Sequence, residues 1–319
     1  MKKIAIIGVY FGEFPKYIDL WEKSCEYNET IDFIIFTDQN RKSNVKNIRY
    51  IKISMSEFSE LASKKLELDI KLKKAYKCCD LKVVYGVIFE DYIRDYEFWG
   101  HCDFDLIFGD IKTFITEDMM KEYDKILPLG HLSLYKNTKK NNERYKDFGS
   151  KVGDYKEVFT SNQSYAFDEI GGIYSIYKHN NYPFYDKRIF ADISCIYKRF
   201  RLALKDKNYK RQVFYWENGK VYRAYEENNK IEKEEYIYIH FKKRKKMNVN
   251  IENVEYAEGF FIANEGFYSK KEGIPTKEQI DKYNKYNGTI YELLELIIYK
   301  IKDVHTRIKN KLNKRFMRR

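Results

Sequence analysis

Proline and glycine are scarce in this sequence, at 4 and 15 of 319 residues. That excludes collagen-like repeats and linker-rich architectures. The five cysteines, Cys25, Cys78, Cys79, Cys102 and Cys195, are odd in number and match no zinc spacing or disulfide framework. Reduced thiols, and so a cytoplasmic protein, are the expectation. No apolar run approaches the ~18 residues that a membrane-crossing helix needs. The opening stretch Met1–Phe14 is basic and then apolar, but the run is short and Glu13 interrupts it without a small-residue cleavage site. A buried first strand is expected there rather than a leader. Walker-type glycine-rich phosphate loops and internal repeats are also missing.

What is present is a globular composition, 44% hydrophobic and 34% charged, with 30 tyrosines. The formal charge of +12 is uneven: Tyr299–Arg319 holds nine Lys/Arg against Asp303, a net +8, which leaves only +4 for the rest. A nucleic-acid binder would spread its charge over a folded face, so no nucleic-acid partner is expected. A basic amphipathic helix at the end of the chain suits an anionic membrane surface, giving a cytoplasmic protein peripheral to the inner face of the cell membrane. The apolar part of that helix is expected to pack on the body.

Residues Lys3–Val9, Asp32–Phe36 and Ile48–Ile53 are short apolar runs of the kind buried on both faces of a sheet. Helical spacing covers Phe14–Tyr27, Ser56–Asp80 and Val87–Arg94. Phe98–Cys102 reads as a strand. Strands alternating with helices predict an α/β fold with a Rossmann-like mixed, mostly parallel sheet. Further on, Ile126–Tyr135 reads as a strand and Ala191–Leu204 as a helix. Asn218-Gly219 marks a hairpin between Gln212–Trp216 and Lys220–Tyr225. Tyr236–Phe241 is strand-like, Thr276 opens a helix, and Thr289 onward is helical.

The segment that carries chemistry is Phe98-Trp-Gly-His-Cys-Asp103-Phe-Asp105-Leu-Ile-Phe-Gly109. In an extended chain, residues i and i+2 point the same way. Asp103 and Asp105 at the end of an apolar strand are therefore able to share one hard divalent cation. The carboxyl end of a parallel strand is also where α/β folds bind ligands. Two solvated turn aspartates are the plain alternative, but apolar residues on both sides of the pair argue against a mere surface turn.

These residues, together with Ile6-Ile-Gly-Val-Tyr-Phe-Gly12, the strand end Phe36-Thr37-Asp38 and Lys82-Val-Val-Tyr85-Gly86, resemble GT-A glycosyltransferases of bacterial surface and capsular polysaccharide synthesis. The resemblance covers roughly residues 1–245. It implies a GT-A-like single domain, nucleotide-binding in about 1–110 and acceptor-binding in about 111–245. An extension over 246–288 would pack on that domain, and 289–319 would be a basic helix. It further implies transfer of a hexose from a nucleotide sugar, a UDP-sugar above all, to a saccharide or lipid-linked saccharide with Mn2+ or Mg2+. Asp103, Asp105 and a late histidine, His240, would hold the metal. Tyr10, Phe11, Gly12, Asp38, Lys82 and Lys243 would face the nucleotide and its diphosphate. Asp168 or Glu169 would serve as the general base of an inverting enzyme, with Asp192 a weaker candidate. Cys102 is read as core and His101 as packing.

Two other classes stay open on the residues alone: another metal-dependent nucleotidyl or phosphoryl transferase, which also needs paired carboxylates, and a non-enzymatic basic protein built around Lys242–Lys246 and the final helix.

Overall fold

Alternation of side chains along the first strand sets up the main sheet. In β1 (Ile4–Tyr10), Ile4 and Ile6 enter the apolar layer on one face, and Ala5 and Ile7 the layer on the other. A strand buried on both sides needs parallel neighbours with helices across each face. β2 (Ile31–Thr37), β3 (Ile48–Lys52) and β4 (Phe98–Cys102) provide them, in the parallel order β3-β2-β1-β4. One layer is built on α1 (Ile18–Glu26), through Ile18, Trp21 and Cys25. The other is built on α2 (Met55–Leu66), through Phe58 and Ala62. α2 starts on a reciprocal Ser54–Glu57 capping box and stops where Glu67 turns left-handed, φ 54°.

The computed structural model describes residues 3–203, 208–242, 244 and 246–316, with side chains to residue 306. It bears out the α/β class and the mixed, mostly parallel main sheet. Beyond β4, that sheet continues with β7 (Leu132–Lys136), antiparallel to β4, then β6 (Lys125–Ile126) and β8 (Phe184–Tyr185). A small sheet sits beside it: β13 (Tyr238–His240) pairs antiparallel with β5 (Leu106–Phe108) and parallel with β9 (Ala191–Asp192).

A third sheet has the order β12-β11-β10-β15-β16-β14. Its strands are β10 (Gln212–Glu217), β11 (Lys220–Glu227), β12 (Lys230–Tyr236), β14 (Asn248–Asn250), β15 (Gly259–Ala263) and β16 (Gly266–Ser269). The β10–β11 turn has positive φ at both Asn218 (47°) and Gly219 (81°), as a two-residue hairpin requires. The Trp216 indole donates to the Phe108 carbonyl (3.0 Å) and so ties this sheet to β5. Lys277–Tyr283 forms a helix on a second capping box, and Thr289–Phe316 forms the final helix.

Local expectations fail where tertiary pairing overrides spacing. The single strand expected over 126–135 is a hairpin, β6 and β7, turned through Leu127 at φ 72°. The helix expected over 191–204 is instead, as far as residue 203, β9 followed by an irregular segment bridged at Ile193–Leu202, and residue 204 lies outside the described residues. Here β13 takes up the backbone, with the Ile193 N–H donating to the His240 carbonyl (2.9 Å). The helix expected over 56–80 ends at Leu66, and that over 87–94 is two short turns, Tyr85–Ile88 and Glu90–Ile93.

A buried ion pair fixes the loop after residue 160. Lys77, 3% exposed, donates to Asp80 (2.7 Å) and to the carbonyls of Val158 (2.6 Å) and Gln163 (2.7 Å). Asp80, fully buried, accepts the N–H groups of Tyr165 (3.0 Å) and Phe167 (2.9 Å). Removing one partner strands the other charge in a dry interior. Asp80→Ala is therefore expected to lower unfolding stability by about 3–5 kcal/mol, read from the denaturant midpoint at constant slope. A loss under about 1 kcal/mol would mean that the loop is held by something else.

Candidate functional site

The carboxyl ends of β1, β2 and β4 meet the small sheet at one edge, and the sequence's chemical residues gather there. Asp103 follows β4, and its N–H donates to the His131 carbonyl (2.9 Å). Asp105 precedes β5, and its carbonyl accepts the Phe241 N–H (3.0 Å). The β5–β13 register puts His240 opposite Leu106, and the β13–β9 register puts it opposite Asp192. One oxygen each of Asp103 and Asp105 and one nitrogen of His240 thus lie within 4.8 Å of one another, although the chain separates the pair from the histidine by more than a hundred residues.

The histidine is oriented by its other ring nitrogen. His240 Nδ1 lies 3.0 Å from Asp192 Oδ1, and Nε2 lies 3.4 Å from Asp105 Oδ1. Asp192 is in turn paired with Lys242 (2.8 Å). With Nδ1 donating to Asp192, Nε2 faces the Asp103–Asp105 pair, and on losing its proton it would present a lone pair there, the usual way in which a carboxylate sets a metal-binding imidazole. Burial opposes charge on His240, but hydrogen bonds to Asp105 and Asp192 and the nearby carboxylate charges outweigh it, raising its pKa to about 9. Burial also works against charge on Asp192, yet its bonds to His240 and Lys242 hold the carboxyl below its ordinary range.

Two carboxylates and one imidazole match a Mn2+ or Mg2+ site, with coordination positions left over for oxygen ligands. Asp192, His240 and His131 also bring ligand atoms within 4.8 Å. That second set is poorly shaped for an ion. The His131 and His240 rings stack at 4.2 Å and 23°. In-plane lone pairs on stacked rings run side by side instead of converging. His131 is instead a packing partner: Tyr238 and Phe190 flank it, and its Nδ1 meets the Tyr238 hydroxyl at 2.8 Å. Burial, with the charge on His240 next, keeps it neutral well below the usual histidine range.

Lys82 is buried and reaches three groups. It lies 2.5 Å from Asp103 Oδ1, 3.2 Å from Asp168 Oδ2 and 2.9 Å from the Gly130 carbonyl. Gly130 is required at this point, because any Cβ there would collide with the Asp168 carboxylate. Burial drives the Asp168 pKa up to about 7, with Lys82 pulling against it. Half-buried Glu169 is also shifted upward by burial, again opposed by Lys82. The Lys77–Asp80 anchor sets Phe167 and hence Asp168.

At the ends of β1 and β2, Tyr10 stacks on Phe14 (4.8 Å) and meets Phe104 edge-on (5.0 Å). Phe104 lies between the two aspartates, so this contact joins the β1 loop to the carboxylate pair. Phe11 packs near Phe58 (5.9 Å). Gly12, at φ 92°, donates its N–H to Asp38 (2.9 Å), so Asp38 shapes the loop. Cys102 and His101 are both buried in the sheet, as read from sequence.

The structure thus unites Asp103, Asp105, His240, Lys82 and Asp168, with Glu169 adjacent to Asp168 in the chain. Tyr10, Phe11, Gly12 and Asp38 form a neighbouring loop cluster. Lys243 lies outside the described residues; Lys242 reaches Asp192. Asp192 supports the histidine, where the sequence offered it only as a weak catalytic candidate. His131 was missed, and a histidine after Gly130 carries no signal by itself.

No curated protein matches the sequence. Two solved structures of the galactosyltransferase LgtC, one in complex with donor and acceptor sugar analogues and one of an active-site mutant, overlap with 59% of this chain and 75% of theirs. Their identities are 10% and 12% and the TM-score is 0.36 for each, an overlap too shallow to carry a functional argument. A family model described as a family of unknown function, DUF6625, matches residues 6–271, and the chain belongs to that family.

Proposed function

We propose that this protein is a metal-dependent glycosyltransferase. It would move a hexose from a nucleotide sugar, a UDP-sugar in the first instance, to a saccharide or lipid-linked saccharide acceptor in cell-surface polysaccharide synthesis. The observation that carries the reading is the meeting of Asp103, Asp105 and His240 Nε2 at the carboxyl edge of the main sheet, with Asp192 setting the histidine's tautomer. Asp103, Asp105 and His240 would hold Mn2+ or Mg2+, which when bound supplies charge neutralisation for a departing diphosphate.

The remaining roles belong to side chains on the page. Tyr10 and Phe11 offer aromatic faces to a base, and the Gly12 turn, pinned by Asp38, lets a ligand approach the backbone. Lys82 sits between the metal carboxylate Asp103 and Asp168. It is placed to keep a cation beside the diphosphate and to hold Asp168 in position. Asp168, poised near neutrality, is the group suited to take the acceptor hydroxyl's proton. Gly130 leaves room for the Asp168 carboxylate, where any Cβ would collide with it.

Three outcomes follow. With Mn2+, the protein hydrolyses or transfers from one nucleotide sugar, and EDTA or Asp105→Asn lowers that rate by roughly a hundredfold or more; metal-independent turnover of equal rate would contradict the reading. Asp168→Asn lowers kcat by about 100-fold or more, with donor KM little changed; an unchanged kcat would remove Asp168 as the base. His240 must lose its proton to ligate, and its metal-free pKa is about 9. Mn2+ affinity, measured by calorimetry, should therefore rise about tenfold per pH unit from roughly 7 up to that value and flatten above it. His240→Gln should abolish the slope; a flat wild-type profile would exclude His240 as a ligand.

A further inference from the structure

The final helix is mounted with its polar face toward the protein. Glu292 is clamped by Arg199 (3.0 Å) and by Arg201, the Lys198 N–H donates to Glu295 (3.3 Å), and the Cys195 thiol meets the Tyr299 hydroxyl (3.8 Å). At roughly 100° per residue these positions share one side of the helix. The apolar stripe faces the opposite way. Ile290 is 78% exposed, Ile301 63%, Val304 55%, Leu293 54%, Leu294 52% and Ile297 44%. A surface helix ordinarily buries that stripe in its own core. Here the expectation that it packs on the body fails, because Arg199 and Arg201 draw Glu292 inward and turn the stripe outward.

We infer that this stripe is an interfacial surface that lies in the headgroup region of an anionic lipid bilayer. Charge decides the occupant. By helical periodicity Lys300 and Lys302 fall on opposite flanks of the stripe, where long cationic side chains lie along apolar surface with their heads in water. The sequence then continues with seven more Lys/Arg through Arg319. Two copies packed in parallel through this helix would set these cations against each other, and antiparallel copies would leave them unneutralised beyond the stripe, whereas anionic headgroups neutralise them all. No helix among the described residues is long and apolar enough to cross a membrane, so the helix would lie in the surface plane. The clamp at Glu292 would hold the rest of the chain close to the bilayer. The inference stands apart from the enzymatic reading, since none of its residues touches the carboxylate site.

The test is flotation of the full chain with phosphatidylcholine vesicles, with and without phosphatidylglycerol, at low and high salt. Binding is expected with phosphatidylglycerol and to weaken in salt. Ile297→Asp with Ile301→Asp should lower partitioning at least tenfold. Lys300→Glu with Lys302→Glu should lower it about fivefold or more per site. Both double variants change exposed side chains, so their melting curves and donor turnover should match wild type. Failure to float, or equal binding to uncharged vesicles, overturns the inference. So does a concentration-dependent dimer in sedimentation that Ile297→Asp dissolves while vesicles are ignored, and so does RNA binding without lipid binding.

Discussion

The hydrogen bond between His240 and Asp192 is the contact on which the site depends. A buried histidine has two nitrogens and needs a reason to present one of them. Asp192 supplies it by taking Nδ1 at 3.0 Å, and Lys242 keeps Asp192 ionised in a partly dry setting. Backbone pairing makes the contact possible, since β13 joins β5 on one side and β9 on the other. Without that small sheet, the carboxylates after β4 and the histidine more than a hundred residues later would have no common edge.

Charges alternate across the site. Lys242, Asp192, His240 and Asp105 form one chain of opposite signs, and Asp103, Lys82 and Asp168 form another. In the metal-free protein, the protons on His240 and Lys82 balance the carboxylates. If a divalent cation binds as proposed, it would take over that duty from His240, and its affinity would then be tied to pH. Lys82 stays charged: burial opposes its charge, but Asp103 and Asp168 raise its pKa well above the ordinary lysine range. A fixed cation thus persists beside Asp103, whether or not a metal ion would be bound.

Much of this was legible in the sequence, for reasons that differ by element. β1, β2 and β4 announce themselves as apolar runs because both of their faces are buried. The Asn218-Gly219 hairpin is legible because only such residues accept positive φ at two successive positions. Asp103 and Asp105 stood out because their spacing and strand-end context are local. Asp192 did not, because its segment has helical spacing and becomes a strand only when β13 pairs with it. His131 and Gly130 were invisible, since their roles are defined by a stacked ring and a carboxylate from distant segments. Lys82 reads in sequence as a diphosphate-facing lysine, and its pairing with Asp168 comes only from the fold. The final helix showed its amphipathic pattern plainly, but which face meets the body was decided by the arginines that clamp Glu292.

The site turns on one histidine nitrogen beside two carboxylates, so the most direct measurement is pulsed EPR of the protein with added Mn2+. It should show hyperfine coupling to the 14N of a single imidazole, and that coupling should vanish in His240→Gln while Mn2+ still binds more weakly through Asp103 and Asp105. A bound Mn2+ with no nitrogen coupling, or a coupling that survives His240→Gln, would contradict it.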